Sequence, residues 1–136
     1  MVGPEVILLD THAWVWWISN PDQLSAKALG ALQKAQRDNS IYISSISAWE
    51  VALLVLKGRL LFTMNAADWI AKSETLPFLN FVPVDNMIAL RSVHLPSPFH
   101  NDPSDRIIIA TALVLGATIV TKDDNILRYP HVKAFW

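Results

Sequence analysis

Short apolar segments of strand length alternate along this chain with longer segments that read as helices, and this alternation constrains the fold more than any other feature. The strand-length segments are residues 6–9, 41–43, 81–84, 117–121 and 132–135. The segments between them predict helices over residues 11–18, 25–37, 45–57, 66–73, 86–94 and 106–115. Strands separated by a helix pair in parallel through right-handed crossovers. We therefore predict a layered α/β fold with a central, mostly parallel sheet flanked by helices.

The composition is that of one globular domain with more apolar residues than its core can bury. The 136 residues fit a single domain, 1–136, and show no internal repeat or linker. Hydrophobic residues make up 52% and charged residues only 17%, which excludes a disordered chain. Because a small domain has limited interior, this composition also predicts apolar surface for a protein partner or for a second copy of the chain, and we expect a homodimer.

Cysteine content, hydropathy and net charge narrow the classes of function. The chain has no cysteine, which excludes disulfides and Cys-ligated zinc or iron–sulfur sites. No apolar run is long enough to span a membrane and the first residues do not resemble a signal peptide, so we expect a cytoplasmic location without membrane contact. The net charge of −1 provides no general attraction for nucleic acid, but an enzyme that holds phosphate through a metal ion does not require one.

Four acidic residues border or interrupt the most apolar segments of the chain: Asp10, Glu50, Asp105 and Asp123. Three of them have ordinary structural interpretations. Asp10 can end a strand or cap a helix, Asp105 can cap a helix or lie in its first turn, and Asp123 can lie in a turn. Glu50 is harder to explain in this way, since a carboxylate within an apolar helix is costly to bury unless it is paired or bound to a cation.

Taken together, the four acids predict a metal site. Asp10 and Asp123 follow predicted strands, and ligands of parallel α/β sheets bind at the carboxyl ends of the strands. Glu50 and Asp105 lie in helices that can reach the same edge. Carboxylates that converge repel one another at neutral pH unless a cation neutralises them. Oxygen ligands without cysteine favour Mg²⁺ or Mn²⁺ over zinc.

At these residues the chain resembles the PIN-domain proteins, and more narrowly the VapC-type toxins of bacterial toxin–antitoxin pairs. Asp10 lies within LLDTHAW and Glu50 within SISAWEVA. Asp102 and Asp105 lie within HNDPSDRIIIATA, and Asp123 ends IVTKD. The four motifs follow in the family's order and span almost the whole chain, so together they are far more specific than any one of them.

The resemblance implies a PIN-like three-layer sandwich, an endoribonuclease that depends on Mg²⁺ or Mn²⁺, and inhibition by a cognate antitoxin protein. By position, the family's catalytic and metal-binding quartet is matched by Asp10, Glu50, Asp105 and Asp123. Asp102 matches an additional acid of one subgroup. Ser104 stands where many members of that subgroup have Phe. This difference lies outside the quartet and does not change the expected chemistry.

The proposed reaction is the hydrolysis of an RNA phosphodiester by water, which gives a 5′-phosphate and a 3′-hydroxyl. Candidate residues for substrate binding are Thr11, His100, Arg106 and Lys122, and Arg106 can instead pair with a neighbouring acid. Thr11 and Thr121 can orient water at the site or serve as ordinary helix caps. Lys57, Arg59 and Lys122 are candidates for contact with the phosphate backbone, with an ordinary solvated surface as the alternative. The two histidines near the acids, His12 and His100, show no zinc-ligand spacing.

The tryptophans that follow Asp10 are assigned to the core or to a protein interface rather than to base stacking. Trp14, Trp16 and Trp17 fall within two helical turns of that acid. Large aromatic side chains supply much of the packing in cores and interfaces, which makes those two interpretations the preferred ones.

Several alternative classes fit the motifs less well. A haloacid-dehalogenase pattern needs a second Asp two residues after the first, where this chain has His12. A receiver domain needs a phosphoacceptor Asp at a strand end near mid-chain, where this chain has Glu50 inside a predicted helix. A non-catalytic PIN-like binding module would be expected to lack some of the acids. A DNA-directed nuclease stays open, because the same metal site can hydrolyse either backbone.

Overall fold

A computed structural model describes residues 5–98 and 101–136. The strands are β1 (Ile7–Leu9), β2 (Ile41–Ser44), β3 (Leu79–Val82), β4 (Thr118–Val120) and β5 (Ala134–Phe135). The helices are α1 (Thr11–Ser19), α2 (Ala26–Arg37), α3 (Ser45–Leu56), α4 (Ala66–Glu74), α5 (Asn86–Val93), α6 (Pro103–Leu115) and α7 (Asp124–Leu127), with a 3₁₀ turn at Pro21–Gln23. Within these residues, no helix combines the length and the apolar character needed to cross a membrane.

The strands form one parallel sheet in the order β3-β2-β1-β4-β5. β1 lies at the centre, where Leu8 pairs with Tyr42 of β2 on one side and with Ile119 of β4 on the other. Because every strand points the same way, the carboxyl ends of the three central strands lie along one edge. The predicted parallel α/β sheet is confirmed.

The two faces of the sheet carry separate apolar clusters, which makes the fold a three-layer sandwich. Side chains alternate along a strand, so Ile7 and Leu9 face one layer while Leu8 faces the other. The first layer packs through Leu32 of α2 and the second through Ile109 of α6. Strands buried on both faces are uniformly apolar, as the sequence of β1 is.

The first turn of α6 begins earlier than predicted, and this changes the interpretation of two acids. Asp102, rather than Asp105, is the N-cap, and its carboxylate accepts hydrogen bonds from the Ser104 and Asp105 N–H groups at 3.0 and 3.2 Å. Pro103 occupies the first helical position, where its missing N–H costs nothing. Asp105 therefore lies in the first turn of the helix, which begins at Pro103 instead of at the predicted residue 106.

Two further differences concern β3 and α7. The paired strand ends at Val82 instead of extending to residue 84, because Pro83 has no N–H to donate to the sheet. The sequence after Asp123 is compatible with a turn, but this segment forms the short helix α7. Asp123 caps it by accepting from the N–H groups of Asn125 and Ile126.

The central strand provides a stability test of the layered core. Leu8 is fully buried between the sheet and α6. Leu8→Ala is therefore expected to lower the free energy of unfolding by about 3 kcal/mol. Leu61→Ala is the control, since Leu61 is 87% exposed and its loss should change that free energy by less than about 0.5 kcal/mol. Urea unfolding followed by circular dichroism measures both. Equal effects of the two substitutions would contradict this packing.

Candidate active site

The predicted acids meet at the carboxyl edge of the sheet. A cavity of about 520 Å³ opens there, and Asp10, Glu50, Asp102, Asp105 and Asp123 all line it. Asp10 directly follows β1, and Asp123 lies three residues beyond β4. Glu50 reaches the cavity because α3 begins immediately after β2. The structure thus brings together five carboxylates that are widely separated along the chain, including all four members of the predicted quartet.

Asp10 is buried, and two sets of hydrogen bonds hold its carboxylate. One oxygen, Oδ1, accepts from the Ala13 N–H at 2.9 Å and so caps α1. The other, Oδ2, accepts from the Thr121 hydroxyl. That hydroxyl also accepts the Asp123 N–H at 3.0 Å, so Thr121 links two of the acids. Thr121 therefore acts on the site by holding the loop after β4 against Asp10.

Helix N-termini surround the cavity. α1, α6 and α7 begin at Asp10, Asp102 and Asp123, and each of these carboxylates caps its own helix. The unpaired N–H groups and the positive end of the helix dipole stabilise a nearby negative charge. The ordinary capping roles and the shared cavity are therefore compatible: the same interactions that begin the helices lower the cost of gathering the acids.

Glu50 is held by hydroxyl groups. The Thr11 hydroxyl donates to Glu50 Oε1 at 2.6 Å and lies 2.9 Å from the Ser47 hydroxyl. Thr11 and Ser47 are both buried. Ser47 is not among the predicted site residues. It lies three positions before Glu50 on α3 and hence on the same face of the helix, a spacing that is visible in the sequence.

Burial and mutual repulsion perturb two of the carboxyl groups. Burial first, and then repulsion from the four other cavity carboxylates, raises the pKa of Asp105 from 3.8 to about 7. Burial also raises the pKa of Asp10, although hydrogen bonds from Thr121 and the Ala13 N–H oppose the rise. Perturbed carboxyl groups in a cleft are typical of functional sites.

The carboxylates do not form a closed ligand cage. Across residues 5–98 and 101–136, no group of three His, Asp or Glu side chains is arranged to hold one ion directly. The chemistry of the donors nevertheless suits a hard divalent cation, since the acidic groups facing the cavity supply only oxygen atoms. Mg²⁺ usually keeps several of its waters and binds one or two carboxylates. The arrangement therefore fits a cation that contacts part of this set through water.

Only some of the residues predicted to bind substrate line the cavity. Thr11 and Lys122 line the cavity, and the Lys122 amino group lies 6.0 Å from the centre of the Trp16 ring. Arg106 instead donates to the main-chain carbonyls of Ser92 and Val93, at 2.9 and 3.3 Å, where α5 ends. The prediction for His100 falls outside the described residues. Away from the cavity lining, the exposed Lys57 and Arg59 follow α3.

Comparisons with known proteins agree with this geometry. A family model described as PIN domain matches residues 7–132. The chain is 32% identical over 125 residues to Ribonuclease VapC22 of Mycobacterium tuberculosis, and the match covers 92% of each chain. Its fold is similar to VapBC2 of Rickettsia felis, solved bound to a promoter DNA fragment, with a TM-score of 0.69, 20% identity and 96% and 98% of the two chains covered. It is also similar to FitAcB of Neisseria gonorrhoeae, with a TM-score of 0.69, 23% identity and coverage of 96% and 97%.

The raised pKa of Asp105 predicts an unusual dependence of stability on pH. Between the unfolded value of 3.8 and the folded value of about 7, the folded protein keeps a proton that the unfolded chain releases. The contribution of Asp105 to the free energy of unfolding therefore falls as pH rises through this range. Asp105→Asn cannot ionise, so this variant should lose less stability between pH 4.5 and pH 8 than the wild type. Urea unfolding in EDTA buffer at both pH values measures the difference.

Asp68→Asn is the matched control for this prediction. Asp68 occupies the same third helical position in α4 as Asp105 does in α6, but it is exposed and away from the cavity. Its replacement should leave the decline with pH unchanged. The pKa assignment is contradicted if Asp105→Asn and the wild type lose equal stability over this range.

Proposed function

Because the chain belongs to the PIN-domain family, we propose that it is a metal-dependent endoribonuclease that hydrolyses RNA phosphodiester bonds. The observation that carries this proposal is the gathering of five carboxylates around one cavity at the carboxyl edge of the sheet. The similarity to Ribonuclease VapC22 over 92% of both chains supports RNA as the substrate. In this proposal the whole chain is one nuclease domain.

Mg²⁺ or Mn²⁺ is the proposed cofactor. Asp10, Glu50, Asp105 and Asp123 would hold it directly or through water, with Asp102 as an additional ligand. A bound divalent cation lowers the pKa of water and stabilises the charge that develops on the phosphate oxygens. Oxygen donors alone suit these two ions.

The side chains of the cavity have distinct roles in this reaction. Glu50, held by the Thr11 hydroxyl, is positioned to accept the proton of the attacking water. The water oxygen bonds to phosphorus as the bond to the 3′ oxygen breaks, and that oxygen takes up a proton, leaving a 5′-phosphate and a 3′-hydroxyl. Thr121 stabilises Asp10, and Lys122 supplies a positive charge for a phosphate beside the reacting one.

An antitoxin protein is the proposed partner, and the cytoplasm the proposed location. Solved neighbours include a VapBC2 complex, FitAcB and a toxin–antitoxin complex from Klebsiella pneumoniae. In support, this chain exposes large apolar side chains such as Leu61, which lines a separate groove of about 660 Å³ formed by α1, α4 and the loops on either side of α4. A protein partner would cover such a surface. A homodimer is also proposed and is measurable by sedimentation velocity.

Purified protein should cut RNA in Mg²⁺ or Mn²⁺ and not in EDTA. Asp10→Asn should reduce cleavage to the level seen in EDTA, because it removes a charged ligand while keeping the capping shape of the side chain. Asp22→Asn is the control, since Asp22 is exposed on the 3₁₀ turn and should retain wild-type activity. Labelled single-stranded and structured RNA and DNA are compared on denaturing gels, with end-group analysis of the products.

The outcomes separate the candidate functions. Cleavage of DNA alone would favour the DNA-directed nuclease, and binding without cleavage would favour a non-catalytic module. Cleavage that persists in EDTA or in Asp10→Asn would contradict the proposed mechanism. Circular dichroism of each variant establishes that it is folded.

Expression in bacterial cells tests the toxin role separately. Induction of the wild-type chain should arrest growth, and induction of Asp10→Asn to the same protein level should not. Growth is followed by optical density and protein level by immunoblot. Arrest by both proteins would show that toxicity does not come from cleavage at this cavity.

A further inference from the structure

Trp16 differs from the two other tryptophans of α1 in where its side chain lies. Trp14 is fully buried beneath the sheet, and Trp17 packs edge-on against Phe78 and lines the groove of about 660 Å³. Trp16 is half-buried and lines the cavity that holds the five carboxylates. Trp16 packs against the core and against Trp136, as the sequence predicts, but its ring also lines the acidic cavity, and the core interpretation does not account for that second position.

The surroundings of Trp16 leave its ring partly exposed. The His12 ring lies 5.6 Å away at 49°, and the Trp136 ring lies 5.6 Å away at 64°. Both neighbours meet the indole at an angle, so neither covers it as a stacked ring would. The Lys122 amino group is 6.0 Å from the ring centre, at the outer limit of a cation–π contact. The result is a partly exposed aromatic ring with one positive charge over it.

The cavity is negatively charged, so contacts with the RNA phosphate backbone cannot supply most of the affinity for RNA. Five carboxylates and one lysine line it, and the whole chain has a net charge of −1. Such a surface repels a polyanion, and a bound divalent cation neutralises only part of that charge. Stacking of a base on an aromatic ring does not depend on net charge and typically changes affinity by about 10-fold or more per base.

We propose that Trp16, with Lys122 beside it, forms a stacking subsite for one unpaired base of the RNA next to the phosphate that is cut. This inference rests on the proposed nuclease function. The ring and the carboxylates share one cavity, so a nucleotide stacked on Trp16 places a neighbouring phosphate at the acids. Bases within a duplex are already stacked on each other, so the subsite takes single-stranded RNA, where bases are free to turn outward.

Photocrosslinking tests the contact directly in the wild-type protein. Single-stranded RNA with 5-iodouridine at successive positions is irradiated with the protein in Ca²⁺ in place of Mg²⁺, and tandem mass spectrometry identifies the crosslinked residue. We expect crosslinks at Trp16 from one or two adjacent positions of the RNA. Crosslinks only at other residues, such as the exposed Trp49, or none at all, would overturn the subsite.

Substitutions test its contribution to affinity. Trp16→Leu keeps an apolar side chain and should weaken the binding of single-stranded RNA about 10-fold, while Trp16→Phe should weaken it less, since a ring is retained. Trp49→Leu is the matched control, because Trp49 is 57% exposed on α3 and outside the cavity lining, and should bind as the wild type does. Fluorescence anisotropy with labelled single-stranded and duplex RNA measures affinity, and thermal melting establishes folding. The affinity for duplex RNA should not change.

Failure of this subsite can be distinguished from failure of the nuclease assignment. RNA cleavage by the wild type together with wild-type binding by Trp16→Leu would overturn the subsite and leave the nuclease in place. If no nucleic acid is cut, the proposed function fails, and the crosslinking result still decides whether Trp16 contacts RNA. A Trp16→Leu variant that loses only its antitoxin affinity would assign this ring to a protein contact and overturn the proposal.

Discussion

Electrostatic repulsion among carboxylates held at one edge of a parallel sheet is the constraint on which the rest of this structure depends. β1 pairs in parallel with both β2 and β4, so the residues that follow these strands lie close together at one edge of the sheet. Strand pairing therefore brings Asp10 and the end of β4 together, and Thr121 holds the loop with Asp123 at the same cavity. The fold must offset the resulting repulsion locally, since the acids have no room to separate.

Hydrogen-bond donors supply that compensation, and they come from the start of each neighbouring element. Three helices begin at the cavity with an acidic N-cap, so main-chain N–H groups face the negative charge. The hydroxyls of Thr11 and Thr121 bond to Glu50 and Asp10 respectively. Compensation is incomplete, as the pKa of about 7 for Asp105 indicates, and a divalent cation would complete it.

The site residues that can be predicted from the sequence are charged residues that lie beside or within apolar segments. A carboxylate beside an uninterrupted apolar run is conspicuous, and for that reason the amino-acid pattern alone singles out Asp10 and Glu50. Ser47 escapes such reasoning because a serine in a helix has many ordinary explanations. The start of α6 is misplaced for a related reason: Asp102 and Asp105 are both acceptable caps, and only the backbone geometry distinguishes them. For Trp16 the sequence predicts the core contact but not the cavity, because the three tryptophans of α1 face different directions and only the structure shows which of them reaches the acids.

The positions of these tryptophans bear on how an acidic protein can act on a polyanion. At 100° per residue, Trp14 and Trp16 diverge around α1, so a helix that is capped by Asp10 contributes one ring to the core and another to the cavity. The same helix thus anchors the site and shapes what enters it. Nucleases that bind through many lysines contact RNA of any sequence and shape through its backbone. A cavity with five acids and one lysine has little such attraction, so in the proposed function its selectivity depends on the base that stacks on Trp16 and on the cation that the acids would hold.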